Sequence, residues 1–171
     1  MCSSVLSTYQ SILKETEIEI LRRIVNLDSD SRRVLYAMYM RKTKYFFCLK
    51  CRVQVPHLSD CVVHLLRENL VKPCDVQDLL PLLNEMPLKD LLSLAKTVHV
   101  DSLLPAKDNT SRDSVMELFK VMIKQPQYGS LSNSQRLLNS IASLFGTPLL
   151  IQESVYELLL YVHILYNPFN A

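Results

Sequence analysis

One cysteine–histidine pattern in the sequence is typical of metal ligands. Cys48 and Cys51 are separated by two residues, and Cys61 and His64 repeat that spacing after a gap of nine residues. Thiolates and imidazoles spaced in this way can bind zinc. Cys61 and His64, however, lie in an apolar helical pattern, where a buried free cysteine and a hydrogen-bonded histidine are ordinary. These four residues are a candidate zinc site, and free structural thiols are the alternative.

Cationic side chains are concentrated in one part of the chain. No acidic residue occurs between Asp30 and Asp60. The cations of this run are Arg32, Arg33, Arg41, Lys42, Lys44, Lys50 and Arg52. The net charge of +2, from 19 basic and 17 acidic residues, does not by itself indicate a nucleic-acid partner. The run therefore has two interpretations, a phosphate-binding surface or a solvated basic helix face.

The sequence lacks the common motifs of catalysis and nucleotide binding. Only two glycines occur among 171 residues, which disfavours the glycine-rich loops that hold phosphates. No zinc-protease, serine-hydrolase or Walker motif is present. His99 and His163 each stand alone among apolar residues, as expected for core or boundary histidines. The hydrophobic fraction of 49% is typical of a folded chain with a substantial core.

The spacing of apolar residues predicts a mainly helical fold. Polar residues at 28–31 predict a cap for the second helix. Ser59 or Asp60 is the predicted cap of the third helix. Pro87 is placed to begin a helix, and Ser111 to cap another. Strand-forming residues at 46–55 end at Pro56. The predicted helices are 11–27, the helix that follows 28–31, 58–70, 76–83, 87–98, 112–124, 134–145 and 148–166.

Two segments carry a resemblance to a known family. Residues 27–46, which include Leu35-Tyr36 and Arg41-Lys42, resemble the "L-Y-x-R-L-x-x-R-K-x-x-W" segment of the Fanconi-associated nuclease family. Residues 86–100 are similar to the family's SAP-domain helix, "L-x-x-x-E-L-K-x-L-A-K", and 111–120 to the helix after it. Tyr45 stands where the family usually has Trp, and Met38 where it often has Arg.

The resemblance implies a domain organisation and a function. It predicts a winged-helix-like module at 1–72, a SAP-like module at 75–125, and a helical segment at 126–171 that leads into a repeat region. The family comprises structure-specific DNA nucleases of interstrand crosslink repair, so the expected partner is branched or flap DNA and the expected location is the nucleus. The family's nuclease motif, P-D followed by E-V-K, is absent from these 171 residues. We therefore expect no catalysis and no cofactor in this chain, and a divalent metal, Mg or Mn, only in a nuclease domain elsewhere.

The predicted DNA-binding residues fall into two groups. Arg41, Lys42 and Lys44 follow a helix and would reach successive phosphates, while Tyr45 or Phe46 anchors the turn. Lys89 and Lys96 are seven residues apart and share one helix face, and Arg112 lies at a helix N-terminus that could hold a further phosphate. The complete set is Arg41, Lys42, Lys44, Tyr45, Lys50, Arg52, Lys89, Lys96 and Arg112.

The last third of the chain predicts a different function. Only Arg136, Glu153 and Glu157 are charged after residue 124, and 158–165 is strongly apolar. Exposed, such a helix would bind a protein partner or a second copy of the chain. The alternative is therefore a helical protein-interaction module without nucleic-acid binding. The start of the sequence predicts no signal peptide, and the polar residues within 149–166 predict no membrane span.

Overall fold

The computed structural model describes residues 1–50, 53–105, 110–126 and 129–166. Within these ranges the chain is mainly helical, as predicted. The helices are α1 Cys2–Tyr9, α2 Glu15–Val25, α3 Ser29–Tyr39, α4 Leu58–Arg67, α5 Leu79–Glu85, α6 Leu88–Thr97, α7 Arg112–Lys124, α8 Asn133–Phe145 and α9 Glu153–Tyr166. The strands are β1 Phe46–Phe47, β2 Val71–Pro73 and β3 Pro148–Ile151. Single 3₁₀ turns cover Gln10–Ile12, Cys48–Lys50, Val76–Asp78 and Asp101–Leu103.

Three of the predicted helix starts are confirmed. The Asp28 carboxylate accepts a hydrogen bond from the Ser31 backbone N–H and caps α3. The Ser111 hydroxyl accepts from the Ser114 N–H and caps α7. Pro87 precedes α6, where its missing N–H costs nothing. Side-chain caps of this kind satisfy N–H groups that the helix itself leaves without partners.

The chain divides into two compact units. Unit 1 comprises Met1–Phe46, Arg52–Lys72 and Leu149–Ala171, and unit 2 comprises Phe47–Cys51 and Pro73–Pro148. In unit 1, α1 packs against α2 and α9, and α3 packs against α4. The core of unit 1 includes Val5, Leu21, Val34, Leu35, Leu65 and Val162. Burying this apolar surface is the main source of its stability.

Unit 2 is a helical assembly. α6 packs against both α7 and α8, and α5 packs against α7. The turn Cys48–Lys50 also packs against α8. Its core includes Leu82, Leu91, Leu94, Phe119, Leu137 and Ile141. The α6 and α7 helices, at the positions of the predicted SAP-like module, are thus neighbours in one unit.

A small sheet has the strand order β1-β3-β2. β2 and β3 run antiparallel, since Leu70 pairs with Gln152 at one end and Cys74 with Pro148 at the other. All four residues of β3 are buried. β3 occupies the centre of the sheet, where both of its edges are paired.

Several predicted element bounds were wrong. Residues 148–151 form β3 rather than the start of a helix, because the buried run Leu149-Leu150-Ile151 fits a central strand as well as a helix. The predicted strand at 46–55 is reduced to Phe46–Phe47. The third helix begins after His57, and neither Ser59 nor Asp60 caps it. Helix α1 and strand β2 were not predicted.

The three-part domain division stays a prediction. Unit 1 gives way to unit 2 between Lys72 and Pro73. The predicted last segment, 126–171, contributes α8 to unit 2 and α9 to unit 1. Of the helices that the structure describes, none has both the length and the apolar character needed to cross a membrane.

Candidate nucleic-acid interface

The residues after α3 form an exposed basic turn. We use this name for Arg41, Lys42 and Lys44, all three of which have exposed side chains. The next two residues are buried, with Tyr45 only 3% and Phe46 only 1% exposed. Tyr45 therefore lies in the core at the base of the turn. The buried aromatic residues thus anchor the basic turn in the core, while its cationic side chains lie at the surface.

Arg41 and Lys42 give the basic turn positive charge at the surface. Within the part of the chain that the structure describes, no ion pair involves Arg41 or Lys42. The Arg41 guanidinium lies 5.6 Å from the centre of the Phe46 ring, a cation–π distance that orients it. Cations just beyond a helix C-terminus also interact favourably with the helix dipole. The turn is a local source of positive potential.

Lys50 is engaged within unit 2. Its ammonium contacts the carboxylate of Asp90, a residue only 7% exposed, and lies 4.9 Å from the centre of the Phe145 ring. A buried carboxylate requires such a partner, because leaving it unpaired costs several kcal/mol. These contacts give Lys50 a structural role. Its contact with DNA stays a prediction.

Arg112 is engaged in the same way. Its guanidinium donates hydrogen bonds to the backbone carbonyls of Leu83, Asn84 and Met86. These carbonyls lie at the C-terminal end of α5, where helical carbonyls lack partners within the helix. Arg112 thus joins the start of α7 to the end of α5. Its predicted phosphate contact is left out of the proposed interface.

Lys89 and Lys96 remain available on α6. Both side chains are exposed, and neither takes part in an ion pair among the described residues. The opposite face of α6 is buried through Leu91, Leu94 and Ala95. Two lysines seven residues apart lie about two turns from each other on one face. Arg52, the last predicted contact, lies outside the described residues.

The structure brings no zinc site together among the residues it describes. No group of three His, Cys, Asp or Glu side chains is placed to share a metal in those ranges. Cys61 is buried in α4, and the His64 Nδ1 lies 3.0 Å from the Asp28 carboxylate. Cys48 is half-buried, and Cys51 falls outside the described residues. The zinc site stays a prediction.

A serine, a histidine and an aspartate meet where α3 begins. The Ser31 hydroxyl donates to Asp28 at 2.6 Å, and both side chains approach the same nitrogen of His64, Nδ1, at 3.4 and 3.0 Å. In a catalytic triad the serine and the aspartate occupy opposite ring nitrogens. Ser31 is also only 1% exposed. The arrangement ties α3 to α4 and is not a nucleophilic centre.

These hydrogen bonds affect the charge state of Asp28. Donation from the Ser31 hydroxyl, then from the Ser31 N–H and from His64, lowers the pKa of the Asp28 carboxyl well below its usual range. The polar residues at 28–31 predict a cap in this segment, but they do not predict the contact with His64. The two residues are 36 positions apart, and no local pattern connects them.

Unit 1 also contains an open cleft of about 590 Å³ beside α2 and the start of α9. Its lining mixes Glu15 and Glu19 with Arg22 and Arg23. Arg23 lies 3.5 Å from Glu19 and donates to the Glu68 carbonyl. Since the acids and bases of the cleft partly neutralise one another, it presents no single charge to a ligand.

No protein-family model matches the chain, and no curated protein matches it in sequence.

Proposed function

We propose that this chain binds branched or flap DNA through the sugar–phosphate backbone. It would be the DNA-binding portion of a Fanconi-associated type of nuclease in interstrand crosslink repair, acting in the nucleus. Hydrolysis would belong to a nuclease domain whose motif these residues do not contain. The proposal rests on the resemblance of residues 27–46 and 86–100 and on one structural observation.

That observation is the basic turn. Arg41 and Lys42 are exposed without an acidic partner among the described residues, and Tyr45 and Phe46 hold the turn from below. Long cationic side chains on a backbone turn that is already ordered can meet successive phosphates without the entropy cost of ordering the backbone.

Such contacts would position DNA without reading its bases. Phosphates are alike in every sequence, so cations that bind them provide affinity and register but no sequence selectivity. Selection would then depend on the shape of the DNA. A flap or junction changes the direction of the backbone, so its phosphates are arranged differently from those of a straight duplex.

The second patch in this proposal is formed by Lys89 and Lys96 on α6. Both are exposed on the face opposite the buried residues of that helix. The winged-helix arrangement of 1–72 and the SAP arrangement of 75–125 belong to the same proposal. The pairing of α6 with α7 supports the second of these arrangements.

The proposal is tested by DNA binding of the full chain and two matched triple variants. R41A/K42A/K44A removes the basic turn, whereas R22A/R67A/K72A removes three other exposed cations of unit 1. Fluorescence anisotropy with a labelled flap and a duplex of the same length measures both affinity and shape preference. We expect the basic-turn variant to bind the flap about tenfold or more weakly, and the control to bind nearly as the wild type does. Equal losses in the two variants would show that only total charge matters.

A further inference from the structure

Two helices of unit 1 present apolar side chains to solvent. On α9, Tyr156, Leu160 and Ile164 are 46%, 47% and 42% exposed. On α3, Tyr36 is 39% and Met40 63% exposed. In each helix these residues are four positions apart, so each set forms one stripe along the helix.

The two stripes belong to one surface. The Tyr39 ring lies 6.1 Å from Tyr36 and 5.6 Å from Tyr156, measured between ring centres. Its hydroxyl is 3.3 Å from the Nδ1 of His163. Tyr39 is only 8% exposed, so its ring lies beneath this surface and connects α3 with α9. We call the surface made by Tyr36, Met40, Tyr156, Leu160 and Ile164 the aromatic face.

The C-terminal half of α9 is apolar on both sides. Its inner side buries Val155, Leu158, Leu159 and Val162. A surface helix normally carries polar residues on the side away from the core, and a helix that is apolar all round is normally covered. Large contiguous exposed apolar patches mark interaction sites. The outer side of α9 therefore has the composition of a binding surface.

The charges beside the aromatic face differ between its two edges. Arg32 lies one turn before Tyr36 on the same stripe of α3, and Arg33 is next to it; both are exposed. Glu153 and Glu157 lie on the exposed side of α9 at its N-terminal end. Within the described ranges none of these four side chains forms an ion pair. The α3 edge is thus cationic and the α9 edge is anionic.

We propose that the aromatic face binds an amphipathic helix of another protein. The apolar stripe of that helix packs on Tyr156, Leu160 and Ile164, and acidic side chains along one flank of the stripe meet Arg32 and Arg33. Packing a helix on an apolar surface provides the affinity, and the charge pattern selects the partner and its orientation. An anionic membrane fits less well, because Glu153 and Glu157 would face it. The site shares no residue with the basic turn, which begins directly after Met40.

The test uses designed helical peptides with the full chain. The probe has an apolar stripe with glutamates along one flank and glutamines along the other. One control peptide has lysines along both flanks, so that either orientation brings lysines against Arg32 and Arg33, and a second has alanines in place of the stripe. We expect the acidic peptide to bind and both controls to bind at least about tenfold more weakly. Equal binding of the lysine peptide, or no binding of the acidic one, would overturn the proposal.

Variants locate the site. L160A/I164A shortens two side chains of the aromatic face, and R32E/R33E reverses its cationic edge. L80A/V121A is the matched control, since Leu80 and Val121 are 39% and 48% exposed in unit 2. Both site variants should weaken peptide binding about tenfold, with unchanged circular dichroism, and the control should not.

Sedimentation of the wild-type chain tests a different occupant. A monomer supports the proposal. A dimer that L160A/I164A converts to a monomer would show that a second copy covers the face, and would overturn it. R41A/K42A/K44A should lose flap-DNA binding but keep most of its affinity for the acidic peptide, which separates this site from DNA binding.

Discussion

The Nδ1 of His64 on α4 lies 3.0 Å from the Oδ1 of Asp28, the residue that caps α3. Asp28 also accepts hydrogen bonds from the hydroxyl and the backbone N–H of Ser31. One carboxylate therefore holds the first turn of α3 and joins it to α4. The basic turn lies at the other end of the same helix, so this contact helps to fix the helix that carries it.

The contact predicts a specific loss of stability in acid. Hydrogen bonds lower the pKa of Asp28 in the folded protein below its value of about 4 in the unfolded chain. Its contribution to stability is thus present above about pH 4 and is lost as the pH falls below that value. D28N should lose part of this acid dependence, as measured by urea unfolding between pH 7 and pH 3. D60N, which changes an exposed carboxylate in the same unit, is the control; an identical acid slope in D28N and the wild type would contradict the prediction.

Lys50 and Asp90 should be strongly coupled in stability. Replacing Lys50 by Met leaves the Asp90 carboxylate buried without its cation, which we expect to cost about 2 kcal/mol or more. The double variant K50M/D90L removes both charges and should recover much of this loss. Urea unfolding of the two single variants and the double variant measures the coupling. Additive effects would show that the pair contributes nothing.

Arg112 should be important for stability and not for DNA binding. R112A removes the donors to the carbonyls at the end of α5, and we expect it to reduce the free energy of unfolding by about 2 kcal/mol. R112K should restore only part of this free energy, because an ammonium cannot reproduce the planar fork of a guanidinium. Urea unfolding and flap-DNA anisotropy of the same samples check both statements. A selective loss of DNA affinity at unchanged stability would return Arg112 to the interface.

Gly146 ends α8 in a conformation that is almost exclusive to glycine, with φ +86° and ψ 159°. An added Cβ would lie 3.2 Å from the Leu49 backbone nitrogen and 3.3 Å from that of Cys48. We expect G146A to lower the free energy of unfolding by about 1–3 kcal/mol, from backbone strain and close contact together. Thermal unfolding checks this value. S143A, an exposed change within α8, should have little effect.

Local patterns were sufficient for most helices of the fold. Asp28, Pro87 and Ser111 begin helices by chemistry that acts within one turn, so their positions could be read from the sequence. The strand Pro148–Ile151 could not be read in this way. Its partner strand β2 is more than 70 residues away, and pairing over that distance leaves no local pattern.

The same distinction applies to the candidate site. The basic turn could be predicted because its cations lie within four residues of one another and are followed by the aromatic residues that become buried. The engagement of Lys50 with Asp90 and of Arg112 with α5 depends on residues 40 and more than 25 positions away. In the sequence alone such cations are indistinguishable from those that could bind a ligand. In the folded chain they are already in contact with other residues.

The dependence of flap-DNA affinity on salt concentration tests the central claim most directly. Each phosphate neutralised by a cation releases counterions, so the logarithm of the association constant falls linearly with the logarithm of the salt concentration, by about 0.9 per phosphate. If Arg41, Lys42 and Lys44 bind phosphates, R41A/K42A/K44A should show a slope shallower than that of the wild type by about 2 to 3. The R22A/R67A/K72A control should keep the wild-type slope. Equal slopes for the wild type and the basic-turn variant, or no salt dependence in the wild type, would contradict DNA binding by this turn.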